Sequence, residues 1–168
     1  GRHRIFELLW NGREPQHPKG HPAFSPVRFL THFIGREKEI GDVMDAVRTD
    51  RLVTLWGMGG IGKTRLAYSV AERIAQAFDD GVFFVPLAQT DDKKEDVLSE
   101  IIAQLKISTS GFTDEETALK TALQNRSILL TLDNFEGVLS AAPLIGRLLQ
   151  ACSGVRCLIT SQKALDNI

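Results

Sequence analysis

Between residues 57 and 64 the chain reads Gly57-Met58-Gly59-Gly60-Ile61-Gly62-Lys63-Thr64, so four glycines precede a cation and a hydroxyl. Glycine accepts backbone dihedrals that other side chains forbid, and such a loop can turn several N–H groups toward one point. An ammonium beside that concavity can reach the β- and γ-phosphates of a nucleotide as a mobile charge. The neighbouring hydroxyl can join the shell of a Mg²⁺ ion. The spacing is that of a phosphate-binding P-loop, which requires a strand before it and a helix after it. Both are predicted. Leu52-Val53-Thr54-Leu55-Trp56 is a short, apolar, partly β-branched run of the kind that forms buried strands. Leu66, Ala67, Val70, Ala71, Ile74, Ala75 and Phe78 recur at helical spacing from Lys63 to about Phe78. The positive end of that helix adds to the attraction for phosphate. The candidate nucleotide-binding residues here are Gly57, Met58, Gly59, Gly60, Ile61, Gly62, Lys63, Thr64 and the adjoining Arg65.

A second chemical group lies far along the chain. Ile128-Leu129-Leu130-Thr131-Leu132 is another apolar strand, and Asp133 closes it. Ligands of open α/β sheets bind at the carboxyl ends of strands, and a carboxylate there can hold Mg²⁺ opposite Thr64. Thr64 and Asp133 are thus the candidate metal residues. Asn134 has no useful basicity, and the pattern leaves the direction of Glu136 in its turn open. No N-K-x-D segment occurs, which disfavours guanine as the base.

The elements that must position these groups alternate between strand and helix. Residues 1–30 stand apart: Ile5-Phe6-Glu7-Leu8-Leu9-Trp10 could be a strand or a short helix. Pro15, Pro18, Gly20, Pro22 and Pro26 then mark a linker. This stretch reads as a linker or the end of an upstream domain, and His3, His17 and His21 within it, with His32 just beyond, read as part of a solvated tail. Residues 31–168 form the main unit. Ile40, Val43, Met44 and Val47 predict a helix ending before Asp50. Val82-Phe83-Phe84-Val85-Pro86-Leu87 predicts a strand that lies at an edge or ends at its proline. Asp92 with Glu95 predicts one helix start and Thr113-x-x-Glu116 a capping box for the next. A helix around Leu144–Leu149 leads to a strand near Arg156–Thr160. The fold class is α/β, a three-layer P-loop fold with a mainly parallel sheet covered on both faces. The chain is expected to stop after the fourth core strand, leaving Leu52–Trp56 on an exposed edge.

Bulk properties narrow the classes. In 168 residues, 43% are hydrophobic and 24% charged, ordinary for a soluble domain. A net charge of −1 gives no ground for direct nucleic-acid binding by this segment. No run approaches the ~20 apolar residues of a membrane helix. Cys152 and Cys157 are expected to be buried free thiols in a reducing cytoplasm.

Four ordered segments carry a family resemblance: Phe33-Ile34-Gly35-Arg36-Glu37, Gly57–Thr64, Leu129-Leu130-Thr131-Leu132-Asp133-Asn134-Phe135-Glu136 and Leu158-Ile159-Thr160-Ser161. Over about residues 33–163 the chain resembles STAND-class ATPases, and within them the NB-ARC-like modules of bacterial regulators. The resemblance implies that Phe33, Ile34, Gly35 and Arg36 contact adenine and that Asp133 binds Mg²⁺. It implies an ATP/ADP switch with slow or no hydrolysis, in signal transduction or transcription regulation, coupled to other domains of one polypeptide and to nucleotide-dependent self-association. The tail Arg4–Leu8 resembles the end of an upstream cyclase module. Gln162 departs from the family, where an arginine thought to sense the γ-phosphate follows the Thr-Ser pair. The competing expectations are an active ATPase or phosphotransferase, and an interaction domain with a degenerate pocket.

Overall fold

Alternating apolar strands and amphipathic helices place five parallel strands between two helical layers. The computed structural model describes residues 3–8 and 35–165. The strands are β1 (His3–Glu7), β2 (Leu52–Trp56), β3 (Val82–Pro86), β4 (Ile128–Asp133) and β5 (Val155–Ser161). Their order in the sheet is β1-β2-β5-β4-β3, and every neighbouring pair is parallel. Helices α1 (Glu37–Thr49) and α2 (Lys63–Ile74) cover one face. Helices α3 (Lys94–Leu105), α4 (Glu115–Leu123) and α5 (Ala142–Ala151) belong to the other. Alternation along β4 divides its side chains between the two cores: Leu129 packs with α1 and α2, whereas Ile128, Leu130 and Leu132 pack with α3 to α5. All six residues of β4 are buried, as expected for a strand covered on both sides.

The expected exposed edge at Leu52–Trp56 is not found. His3–Glu7 runs parallel beside it, with His3 opposite Leu52 and Glu7 opposite Trp56. The Arg4 guanidinium lies 2.9 Å from the buried Asp50 carboxylate, and His3 Nε2 is 2.9 Å from Thr54 Oγ1. Polar anchoring of this kind cannot be read from the apolar pattern of residues 5–10. At the opposite edge β3 ends at Pro86, where a missing N–H costs no interior ladder bond.

Three helix boundaries differ from the sequence pattern. Helix α2 gives way after Ile74 to a 3₁₀ turn, Ala75–Ala77, and Phe78 is buried beyond it. Helix α3 starts after Lys93, because the Asp92 carboxylate accepts from Ser140 N–H (2.9 Å) instead of capping. Helix α4 is capped by Asp114, which accepts from Thr117 N–H at 2.8 Å, so Thr113 is one residue outside. Glu116 does not complete a capping box. Its carboxylate takes Arg147 Nε (2.8 Å) and Nη2 (3.1 Å), Lys120 (2.8 Å) and Lys94 (3.2 Å), joining α3, α4 and α5. Cys152 and Cys157 are buried free thiols, and burial pushes the Cys157 thiol up to about 12. Among the described residues no helix is long and apolar enough to cross a membrane.

The Arg147 fork, with the two lysines, holds the Glu116 carboxyl well below the usual carboxylate range. A depressed folded-state pKa stabilises the protein above the unfolded value near 4.5 and ceases to do so as pH falls through the folded value. Glu116→Gln is therefore expected to cost about 1–2 kcal/mol at pH 7, the net worth of charged hydrogen bonds to partly exposed partners. Urea unfolding at pH 7 and at pH 3 checks this, and the gap to wild type should narrow at the lower pH.

Candidate nucleotide-binding site

The carboxyl ends of β2, β5 and β4 lie side by side, and each delivers a polar group to one place. Trp56 stands opposite Ser161 in the ladder, and Gly57 N–H continues it onto Ser161 O at 3.3 Å. The chain then turns through the loop into α2, whose N-cap is Gly62 at φ 88°. That left-handed value suits glycine, since a Cβ there would meet the following carbonyl. Lys63 begins the helix with 7% of its surface exposed, and its Nζ donates to Gly57 O (2.7 Å) and Met58 O (2.9 Å). Burial pushes the Lys63 pKa below its ordinary value, while the carboxylates of Glu136 and Asp133 act in the opposite direction. The ammonium is thus curled into the loop that it would share with phosphate.

Thr64 Oγ1 donates to Asp133 Oδ1 at 2.7 Å, bridging the first turn of α2 to the end of β4. Thr160, buried on β5, donates to the same oxygen at 2.5 Å and accepts from Asn134 N–H at 3.0 Å. Asp133 is 5% exposed, so these hydroxyls supply polar partners that water cannot. Asn134, at φ 63°, turns the chain sharply into a 3₁₀ turn, Phe135–Gly137, anchored by the buried Phe135. From that turn Glu136 accepts from Gln162 N–H at 3.0 Å and from Asn134 Nδ2 at 3.4 Å. A cavity of about 460 Å³ opens beside the loop, lined by Glu7, Leu8, Trp56, Met58, Ile61 and Gln162 among others.

The structure brings together Gly57, Met58, Gly59, Gly60, Ile61, Gly62, Lys63 and Thr64 with the distant Asp133. Arg65 follows in the first turn of α2. Met58 is largely exposed at the crown of the loop, and Ile61 is half-buried. Gly35 and Arg36 take left-handed backbone angles, and Arg36 is the N-cap of α1. Glu37 forms a two-point ion pair with Arg73 (2.5 and 3.0 Å), which sets the start of α1 against the last turn of α2. Lys63 is ten residues earlier, about 15 Å along the helix axis. Arg36 Nη1 is buried there with no hydrogen-bond partner among the described residues. Phe33 and Ile34 lie outside the described residues. Thr160 is the group that sequence reasoning missed, although it carries the signal that singled out Asp133, a polar residue closing an apolar strand.

An open P-loop with a hydroxyl and a carboxylate at hydrogen-bond distance fits a magnesium nucleotide. The donor set is oxygen only, as Mg²⁺ prefers, and P-loop sites draw the remaining ligands from phosphate and water. Residues 36–164 match the family model described as the NB-ARC domain. An uncharacterized protein of Mycobacterium tuberculosis is 35% identical over 142 residues, covering 84% of this chain and 36% of that protein. Another protein of that organism, provisionally named an HTH-type transcriptional regulator, is 38% identical over 122 residues (69% of this chain, 13% of that protein). The regulatory protein AfsR of Streptomyces coelicolor is 32% identical over 158 residues (84% and 15%). The chain therefore spans about a third or less of the length of the relatives that it matches.

One glycine of the loop makes a testable link to the N-terminal strand. Gly57 has φ 152°, and a Cβ there would sit 2.9 Å from Leu8 O, whose own N–H donates to Trp56 O at 2.9 Å. Gly57→Ala is expected to push the end of β1 away from β2. Hydrogen exchange at the amides of residues 3–8 should accelerate at least about tenfold, corresponding to ~1.4 kcal/mol of local opening. Unchanged protection would mean that the two segments do not bear on each other.

Proposed function

This chain belongs to the NB-ARC family, and from that premise we propose that it is the ATP/ADP-binding switch module of a multidomain regulatory protein, with slow or no intrinsic hydrolysis. The observation that carries the reading is the 2.7 Å bridge from Thr64 to Asp133, beside a buried Lys63 held by the loop's own carbonyls. Incoming phosphates would take over the Lys63 ammonium, and the loop's N–H groups would receive their negative charge at the start of α2. Thr64 and Asp133 would hold Mg²⁺, which would neutralise charge on the phosphates. Asp133 keeps its orientation through Thr160, so the carboxylate is set before any ligand arrives.

The residues that flank this site support slow turnover. Glu136 is engaged by two donors, Gln162 N–H and Asn134 Nδ2, so its carboxylate oxygens are occupied at the exits of β4 and β5. Gln162 carries no positive charge with which to stabilise a transferring phosphoryl group. The nearness of Glu136 to Lys63 is the observation that favours the alternative of an active ATPase or phosphotransferase. A regulatory role is supported by the likeness to AfsR, a regulatory protein. In this reading the partners are other domains of the same polypeptide, with self-association governed by the bound nucleotide in the cytoplasm. Adenine contact by Arg36, with Phe33, Ile34 and Gly35, belongs to the same proposal, and the unpartnered Arg36 Nη1 supports it.

Lys63→Ala is expected to weaken ATP binding at least about tenfold while leaving the circular dichroism spectrum intact, since each charge-assisted contact is worth ~1.5–3 kcal/mol. Calorimetry with Mg·ATP measures it, and undiminished affinity would place the nucleotide elsewhere. Arg36→Ala should weaken ATP and ADP alike, because both carry the same base. An effect confined to ATP in the same titrations would move Arg36 to the γ-phosphate.

A further inference from the structure

Strand β1 lies outside residues 36–164, the part that matches the NB-ARC family, yet its carboxyl end stands against the phosphate loop. Leu8 N–H donates to Trp56 O at 2.9 Å, one residue before the loop begins. The Leu8 carbonyl oxygen stands where a side chain at Gly57 would have to go, 2.9 Å from the position of a Cβ. The Leu8 side chain is buried in one apolar cluster, against which Phe6 and the loop's own Ile61 pack. Glu7 and Leu8 also line the cavity of about 460 Å³ together with Met58, Gly59 and Ile61. A ligand seated on the loop and reaching into that cavity meets loop and strand at once. β1 is nevertheless an edge, with its ladder to β2 on one side and Ile5 38% exposed. Such elements open at a lower free energy than the centre of a sheet.

We propose that strand β1, through the Leu8 backbone, holds the entrance of the phosphate loop in the shape that receives nucleotide, so that docking of the strand and binding of the nucleotide strengthen each other. The inference rests on the nucleotide-binding reading above and adds to it a strand from outside the matched region. Docked, Leu8 excludes every loop conformation that would carry Gly57 into its carbonyl. Released, the strand leaves Trp56–Met58 beside an open edge, and the loop has more conformations to lose on binding. The coupling is reciprocal: the factor by which docking raises affinity is the factor by which bound nucleotide suppresses opening of the strand.

Two prolines separate docking from the site itself. Leu8 N–H faces β2, so the alternation of a strand turns Phe6 N–H the same way and Ile5 N–H outward. Proline at 6 removes a ladder bond and undocks the strand, whereas proline at 5 falls on the open side of an edge, where it is tolerated. The test joins hydrogen exchange of the 168-residue chain, with and without saturating Mg·ATP or Mg·ADP, to calorimetry of wild type, Phe6→Pro and Ile5→Pro. In wild type, nucleotide is expected to slow exchange at Arg4, Phe6 and Leu8 about tenfold, within the usual range of coupling, and to leave β3 at the opposite edge unchanged. Phe6→Pro should weaken nucleotide binding by about the same factor, and Ile5→Pro should stay within about twofold of wild type. Exchange at β1 unmoved by bound nucleotide, or slowed equally at β3, overturns the inference while leaving nucleotide binding standing. Full affinity in a Phe6→Pro protein whose strand exchanges freely, or an Ile5→Pro protein as impaired as Phe6→Pro, does the same. Should Phe6→Pro fail to fold, the wild-type exchange decides alone. Wild-type protein that binds neither nucleotide overturns the proposed function, and this inference with it.

Discussion

The bond between Thr64 and Asp133 is the contact on which the site depends. It crosses 69 residues of sequence and joins the start of α2 to the end of β4, a strand that does not adjoin β2 in the sheet order. A single hydroxyl could not hold a nearly buried carboxylate without further partners, because an ionised oxygen withdrawn from water costs several kcal/mol. Thr160 on the intervening β5 supplies the second donor, and its oxygen takes up the Asn134 N–H in turn. The order β2-β5-β4 is what makes this possible, since β5 lies between the other two and reaches both sides.

The remainder of the molecule serves that alignment. Two helical layers bury β4 completely, which leaves its carboxyl end little freedom to shift, because close-packed cores resist displacement. The 3₁₀ turn after Asp133 is pinned by Phe135 beneath it, so Asn134 and Glu136 leave the strand in set directions. On the other side of the loop β1 contributes a covering strand, and its Leu8 backbone closes against Gly57. The segment His3–Leu8 thus leaves no room for a side chain at Gly57, the first residue of the phosphate loop.

The charged groups divide by purpose. Glu116 gathers three cations at the junction of α3, α4 and α5 and tightens the face remote from α2. Lys63 is the opposite case: a cation drawn out of water, satisfied by two carbonyls and balanced by Glu136 and Asp133 at a distance. Such a desolvated ammonium is poised for exchange, since phosphate oxygens offer it stronger acceptors than neutral carbonyls do.

What the amino-acid sequence determined by itself was local and periodic. Strand and helix alternation, the glycine spacing of residues 57–62, and Asp133 closing an apolar run were legible because each rests on neighbours within a few residues. The two motifs pair as one site on sequence grounds alone, since both follow strands of a parallel sheet and its ligands bind at strand ends. Only the tertiary structure decided the rest. That Asp92 serves Ser140, that Glu116 serves Arg147, and that the strand His3–Glu7 shelters β2 are choices between a nearby partner and a distant one. Side chains such as Asp and Glu satisfy the same hydrogen-bonding need either way, and the fold brings the distant donor within hydrogen-bond reach. The meeting of Gln162 with Glu136 and Gly59 is of the same kind: three residues that nothing in the sequence links, made one group by the register of β4 and β5.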